Sequence, residues 1–213
     1  HGLLRRQRQM CIRDSWYRIN TILMDILTDG TRRKIGVINN HPDGYGWLSR
    51  ALHWWMALLI LGLFFLGLWM VELTYYHAWY QKAPWLHNGL GILMALLLAF
   101  RMAWNLRQTK PSPIGTRWER LAASIIHSVL YILLIILIIS GYFINTADGS
   151  GLTVFDMFEI PALLKLKGLE QWSGLIHRYS AYVLIALVAM HTAAAFKHHF
   201  VDRDSILIRM VRG

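Results

Sequence analysis

Four apolar runs, at residues 51–73, 86–106, 122–144 and 172–196, alternate with short polar stretches along the 213-residue chain. Crossing a hydrocarbon core of about 30 Å takes roughly 20 residues of helix, so each run predicts a transmembrane helix. The residues between the runs are too few and too polar to bury a second core. The expected fold is a single all-α integral membrane domain, a four-transmembrane-helix bundle over residues 45–213. Lipid provides no hydrophobic drive between helices, so close packing and a bound cofactor are the expected sources of cohesion. Trp47, Trp54, Trp55, Trp69, Trp79, Trp85, Trp104, Trp118 and Trp172 crowd the predicted span ends, where interfacial aromatics belong.

Basic residues orient the bundle. Arg50 precedes the first span, Arg101, Arg107, Lys110, Arg117 and Arg120 separate the second from the third, and Lys197, Arg203, Arg209 and Arg212 close the chain. The other two connections carry Lys82, Lys165 and Lys167, with Arg178 early in span four. The positive-inside rule then places both termini in the cytoplasm. The net charge of +10 reads as topology and contact with anionic lipid. These charges flank spans and form no separate basic domain, so nucleic-acid binding is not expected.

Residues 1–44 depart from this design. The stretch is basic, lacks strong periodicity, and its apolar piece at 19–27 is broken by Asn20, Thr21 and Asp25, which spoils a secretory-signal reading. Residues 10–15, MCIRDS, read like a translated sequencing adapter. The tail is therefore either an artefact or a disordered cytoplasmic extension, and a peptide covering residues 10–15 recovered from cells ends the artefact reading. Cys11, the only cysteine, lies within it. That excludes a disulfide framework, an iron–sulfur cluster, structural cysteine–zinc and covalent haem attachment through CxxCH. Phosphate-loop and nicotinamide fingerprints are likewise missing.

The chemistry then falls to histidine. His177 and His191 lie fourteen residues apart on the fourth run. Fourteen residues are close to four helical turns, which puts both imidazoles on one face, roughly 21 Å apart along the axis. Imidazole deep in lipid is costly and functional by default. With alternating helix directions, His87 shares the outer depth with His177, and His53 shares the inner depth with His191. Each pair joins different helices, as bis-histidine haem ligation requires. Two non-covalent bis-histidine haems, on His87/His177 and His53/His191, are the expected cofactors. Zinc would need its ligands gathered at one place. Gly89, Gly91 and Gly174 near the outer ligands, and Ala193, Ala194 and Ala195 after His191, would let a flat macrocycle approach.

His127 sits at the inner depth and could compete with His53; it is read as a packing or propionate-contacting residue. His198 and His199 close span four, and His198 could carry protons to a quinone, its ordinary pKa being about 6.5. The long connection 145–171 predicts one or two short amphipathic helices on the outer surface, broken near Pro161.

Several strings resemble the bacterial cytochrome b561 family. They are Arg50-Ala-Leu-His53-Trp54-Trp55, Leu86-His87-Asn88-Gly89-Leu90-Gly91 leading to Arg101, His127 with Tyr131, and Ile176-His177-Arg178-Tyr179. The run from Met190-His191-Thr192 through Lys197-His198-His199-Phe200, with the ending from Asp204 to Met210, is the most telling. The resemblance covers residues 45–213 and omits the tail. It implies a cytoplasmic (inner) membrane cytochrome with two b-type haems, some members of which oxidise superoxide outside and reduce ubiquinone in the membrane. The alternative it implies is a haem b subunit passing electrons from a hydrogenase- or formate dehydrogenase-type partner to quinone. Bis-histidine ligation leaves no open iron position, so one-electron transfer is the expected task. Arg50, Trp54 and Lys197 at the inner depth are candidates for propionate or quinone contact. Arg178 is a candidate for the outer propionates, although helix phase turns it about 100° from His177. Lys165 and Lys167 could steer an anionic donor such as superoxide, but the acidic residues of the same loop cancel their charge.

Overall fold

The computed structural model describes residues 38–166 and 168–212; of the expected tail, residues 1–37 lie outside the described residues. Helices α1 (Trp47–Met70), α2 (Lys82–Leu106) and α3 (Arg117–Thr146) are followed by strands β1 (Leu152–Val154) and β2 (Phe158–Ile160). Helices α4 (Leu169–Phe200) and α5 (Ile206–Val211) complete the chain. The first three helices and α4 are long and apolar enough to cross a membrane. All four overrun the predicted spans at one or both ends, because the interfacial turns are polar yet still helical, although α1 stops at Met70, three residues short of the predicted 73. Below, inner denotes the end that carries residues 38–46 and the C-terminus.

Helices α1 and α2 pack closely, as do α3 and α4, and the two hairpins meet more sparsely. Met56, Met94, Leu98, Leu134 and Leu184 form the buried centre, with Ile60 and Val188 against it. Ile60, Met94, Leu134 and Leu184 each follow a histidine (His53, His87, His127, His177) by seven residues. Seven residues are nearly two turns, so one side chain from each helix meets at mid-depth, between the two histidine levels.

Local chemistry sets the ends. Thr116 caps α3 through a reciprocal box, its hydroxyl accepting from the Glu119 amide while the Glu119 carboxylate accepts from the Thr116 amide at 2.9 Å. The other Glu119 oxygen accepts from Lys197 Nζ at 3.0 Å, tying α3 to the end of α4. Residues 39–46 fold onto the inner connection: the Asn40 amide donates to Gln108 Oε1 at 2.9 Å, and the Ser112 amide to the Pro42 carbonyl at 2.8 Å. Arg209 Nη1 donates to the Ser112 carbonyl at 2.8 Å, which adds α5 to the same cap.

The outer connection corrects the sequence expectation. In place of amphipathic helices, Leu152–Val154 and Phe158–Ile160 pair antiparallel as a hairpin. Its turn residues Phe155 and Asp156 have φ of 49° and 58°, a left-handed pair built without glycine or asparagine. Two contacts repay that backbone cost. Trp85 Nε1 donates to Asp156 Oδ2 at 3.1 Å, and the Phe155 ring lies edge-on to Trp85 at 5.3 Å. Gly89 therefore serves the hairpin and not a macrocycle, since a side chain there would run into the Phe155 ring. Gly89→Leu is expected to unseat the hairpin, read as faster proteolytic cleavage within 152–160 while the helices stay intact.

Candidate functional site

The histidines gather at two levels. At the outer level, the His87 ring on α2 faces the His177 ring on α4 with centres 6.1 Å apart. At the inner level, the His53 ring on α1 faces His191 on α4 at 6.4 Å. Metal–imidazole bonds of about 2.0 Å, with each nitrogen about 1.1 Å from its ring centre, place two imidazoles on one metal roughly 6 Å apart. Both pairs fit that span. His127 approaches His191 to 5.1 Å, too close for the two to share one iron. The spacing thus favours His53 as partner of His191, with His127 packed beside them.

Hydrogen bonds support the same reading. His177 Nδ1 lies 3.0 Å from the Leu137 carbonyl and 3.2 Å from Ser140 Oγ. The Ser140 hydroxyl is already directed at the Ile136 carbonyl at 2.7 Å. The Leu137 carbonyl accepts the Nδ1 proton, which leaves Nε2 with its lone pair for a metal. His87 Nδ1 is buried with no hydrogen-bond partner among the described residues.

Two glycines seat these rings. A Cβ on Gly67 of α1 would stand 3.3 Å from His87 Cε1, and one on Gly141 of α3 would stand 3.2 Å from His177 Cε1. Each outer imidazole therefore leans on a bare patch of the preceding helix. Sequence reasoning missed both glycines, and the signal was there. Fourteen residues separate His53 from Gly67, His87 from Arg101, His127 from Gly141 and His177 from His191. The two helical hairpins repeat one plan, with glycine beside each outer histidine and Arg101 at the inner level.

The remaining candidates divide. Trp54 stacks edge-on against His53 at 5.4 Å and donates Nε1 to the Met210 carbonyl at 3.1 Å. Arg50 donates Nη1 to the Val211 carbonyl at 2.9 Å, and its Nε is buried without a partner among the described residues. Lys197 is held by Glu119 at 3.0 Å and Asp202 at 2.8 Å, so its charge is already balanced. His198 sits between Asp204 at 2.7 Å and Asp202 at 3.1 Å. Arg178 is exposed, as helix phase predicts. Arg101, counted above as a loop charge, lies inside α2 with Nε donating to Tyr131 Oη at 2.9 Å.

Four long apolar helices holding facing imidazole pairs at two depths define a multi-pass membrane protein with the framework of a cytochrome. Residues 44–213 match the prokaryotic cytochrome b561 family, and the chain belongs to it. It is 43% identical over 175 residues to cytochrome b561 homolog 2 of Escherichia coli (strain K12), covering 81% of this chain and 93% of that protein. It is 28% identical over 176 residues to the probable superoxide oxidase CybB of Yersinia pestis, covering 78% and 95%. Membership carries membrane electron transfer as the function and implies haem b.

Proposed function

We propose that the chain holds two haems b, the outer on His87 and His177 and the inner on His53 and His191, and carries electrons across the bacterial inner membrane. The observation that carries this reading is the matched separation of the two ring pairs, 6.1 and 6.4 Å. Haem, when bound, would supply a reversible one-electron couple, and these four imidazoles would hold it.

The donor is a small one-electron reductant on the outer side, superoxide being the candidate, and the acceptor is ubiquinone at the inner side. The balance is two superoxide, one quinone and two protons giving two dioxygen and one quinol. The protein's residues provide the rest. The Leu137 carbonyl fixes the His177 ring, and the apolar centre keeps water from the path between levels. On the inner side, His198 between two carboxylates is suited to relay the protons that quinol formation consumes. Arg50 and Trp54 border the same region. With Arg101 set apart as a bundle residue, the remaining basic residues still favour cytoplasmic termini.

Proteoliposomes with ubiquinone and externally generated superoxide test this reading. Quinol should form with the wild type and fail with His191→Ala. A haem-loaded protein that accepts electrons only from a co-purifying dehydrogenase would replace it with the subunit role.

A further inference from the structure

Arg101 stands within a transmembrane helix, at the level of His53, His127 and His191. An ionised side chain at such depth marks a functional contact. Its Nε donates to Tyr131 Oη at 2.9 Å, and Asn105 Nδ2 donates to the same oxygen at 3.1 Å. The Tyr131 oxygen thus accepts twice, and its own proton is left to donate elsewhere. Arg101 Nη2 lies 3.4 Å from His53 Nδ1. A histidine that binds a metal through Nε2 keeps its proton on Nδ1, so in the loaded protein that contact is donor against donor and the guanidinium must turn to an acceptor. The ion pairs of the described residues do not include Arg101.

A guanidinium and a tyrosine hydroxyl therefore converge beside the inner pair with donors to spare and, among the described residues, no anion to meet them. Buried charge needs a counter-charge as well as hydrogen bonds. A neutral carbonyl would satisfy the donors and leave the charge; a carboxylate answers both, and the planar guanidinium matches it in two-pronged geometry. Of the other inner candidates, Lys197 is already balanced by Glu119 and Asp202, while Arg50 has one nitrogen on the Val211 carbonyl and its Nε without a partner among the described residues.

We infer that Arg101, supported by Tyr131, anchors a propionate carboxylate of the inner haem and acts as the positioning residue of that site. The inference rests on the two-haem reading above. Its test uses quinone-free protein in detergent, loaded either with haem b or with its dimethyl ester, which lacks the carboxylates. With haem b, Arg101→Gln should release the inner haem to an apo-globin acceptor about tenfold faster, the loss of one charge-assisted contact. The inner potential should fall, because a positive charge that favours the reduced iron is gone. Arg101→Lys should retain most of both, and Tyr131→Phe should show a smaller change of the same sign. With the ester, wild type and Arg101→Gln should release haem alike. Effects of substitution and esterification that simply add would overturn the inference, as would a shift seen only after ubiquinone is supplied. A wild type that binds no inner haem would overturn the two-haem reading itself.

Discussion

Replacing His87 with alanine is expected to halve the haem content of purified protein, and His191→Ala to remove the other half. The two losses should differ in the reduced-minus-oxidised spectrum, since the outer and inner pairs sit in different surroundings. His87 has Gly67 and an unsatisfied Nδ1, whereas His191 has His127 and His53 around it. Removing either imidazole leaves its facing ring in place, so the fold should survive and the spectral loss can be read directly. His127→Ala provides the contrast: the 5.1 Å approach to His191 gives it a packing role, and both haems should remain. Loss of the inner haem from His127→Ala with full retention in His53→Ala would reverse the assignment.

Gly141→Val is expected to abolish the outer haem without touching an axial ligand. Even the first carbon of the new side chain would lie 3.2 Å from His177 Cε1, and the branches would come closer. The ring would have to leave the Leu137 carbonyl that fixes its proton. Overpacking a tight contact costs about 1–3 kcal/mol, which corresponds to roughly a five- to 150-fold fall in affinity for the outer haem. Gly67→Val should act likewise through His87. Gly62→Val, which meets nothing within 4 Å, is the control and should leave both haems. Haem content of the three variants, measured beside their thermal unfolding, separates displacement of a ring from general damage to the bundle.

The sequence makes the spans and histidine levels legible because both rest on periodicity. A run of twenty apolar residues has few alternatives, and fourteen residues on a helix return to the same face. The seats of the rings were harder to read. Gly67 and Gly141 matter through contacts with other helices, so in the sequence only their fourteen-residue spacing from His53 and His127 marks them. Arg101 falls inside the predicted run 86–106, and counting it among the inner basic residues hides that its side chain turns into the bundle, to Tyr131. The hairpin was misread because Val154, Phe155, Phe158 and Leu163 also suit an amphipathic helix. The left-handed turn at Phe155 and Asp156 carries only Asp156 as a turn residue, and puts a bulky phenylalanine at its other position. What holds it is the distant Trp85 and Gly89, a tertiary override of local preference.

The apolar layer of Ile60, Met94, Leu134 and Leu184 has an electrical consequence. It makes the space between the two histidine levels a dielectric, about 21 Å of a hydrocarbon thickness near 30 Å. A charge moved from one level to the other therefore falls through about two-thirds of the membrane voltage, worth roughly 1.6 kcal/mol per 100 mV. In the orientation proposed above, with the inside negative, an electron moving inward would travel uphill against that voltage, so an energised membrane would hold reducing equivalents back at the outer level and a collapsed one would release them inward.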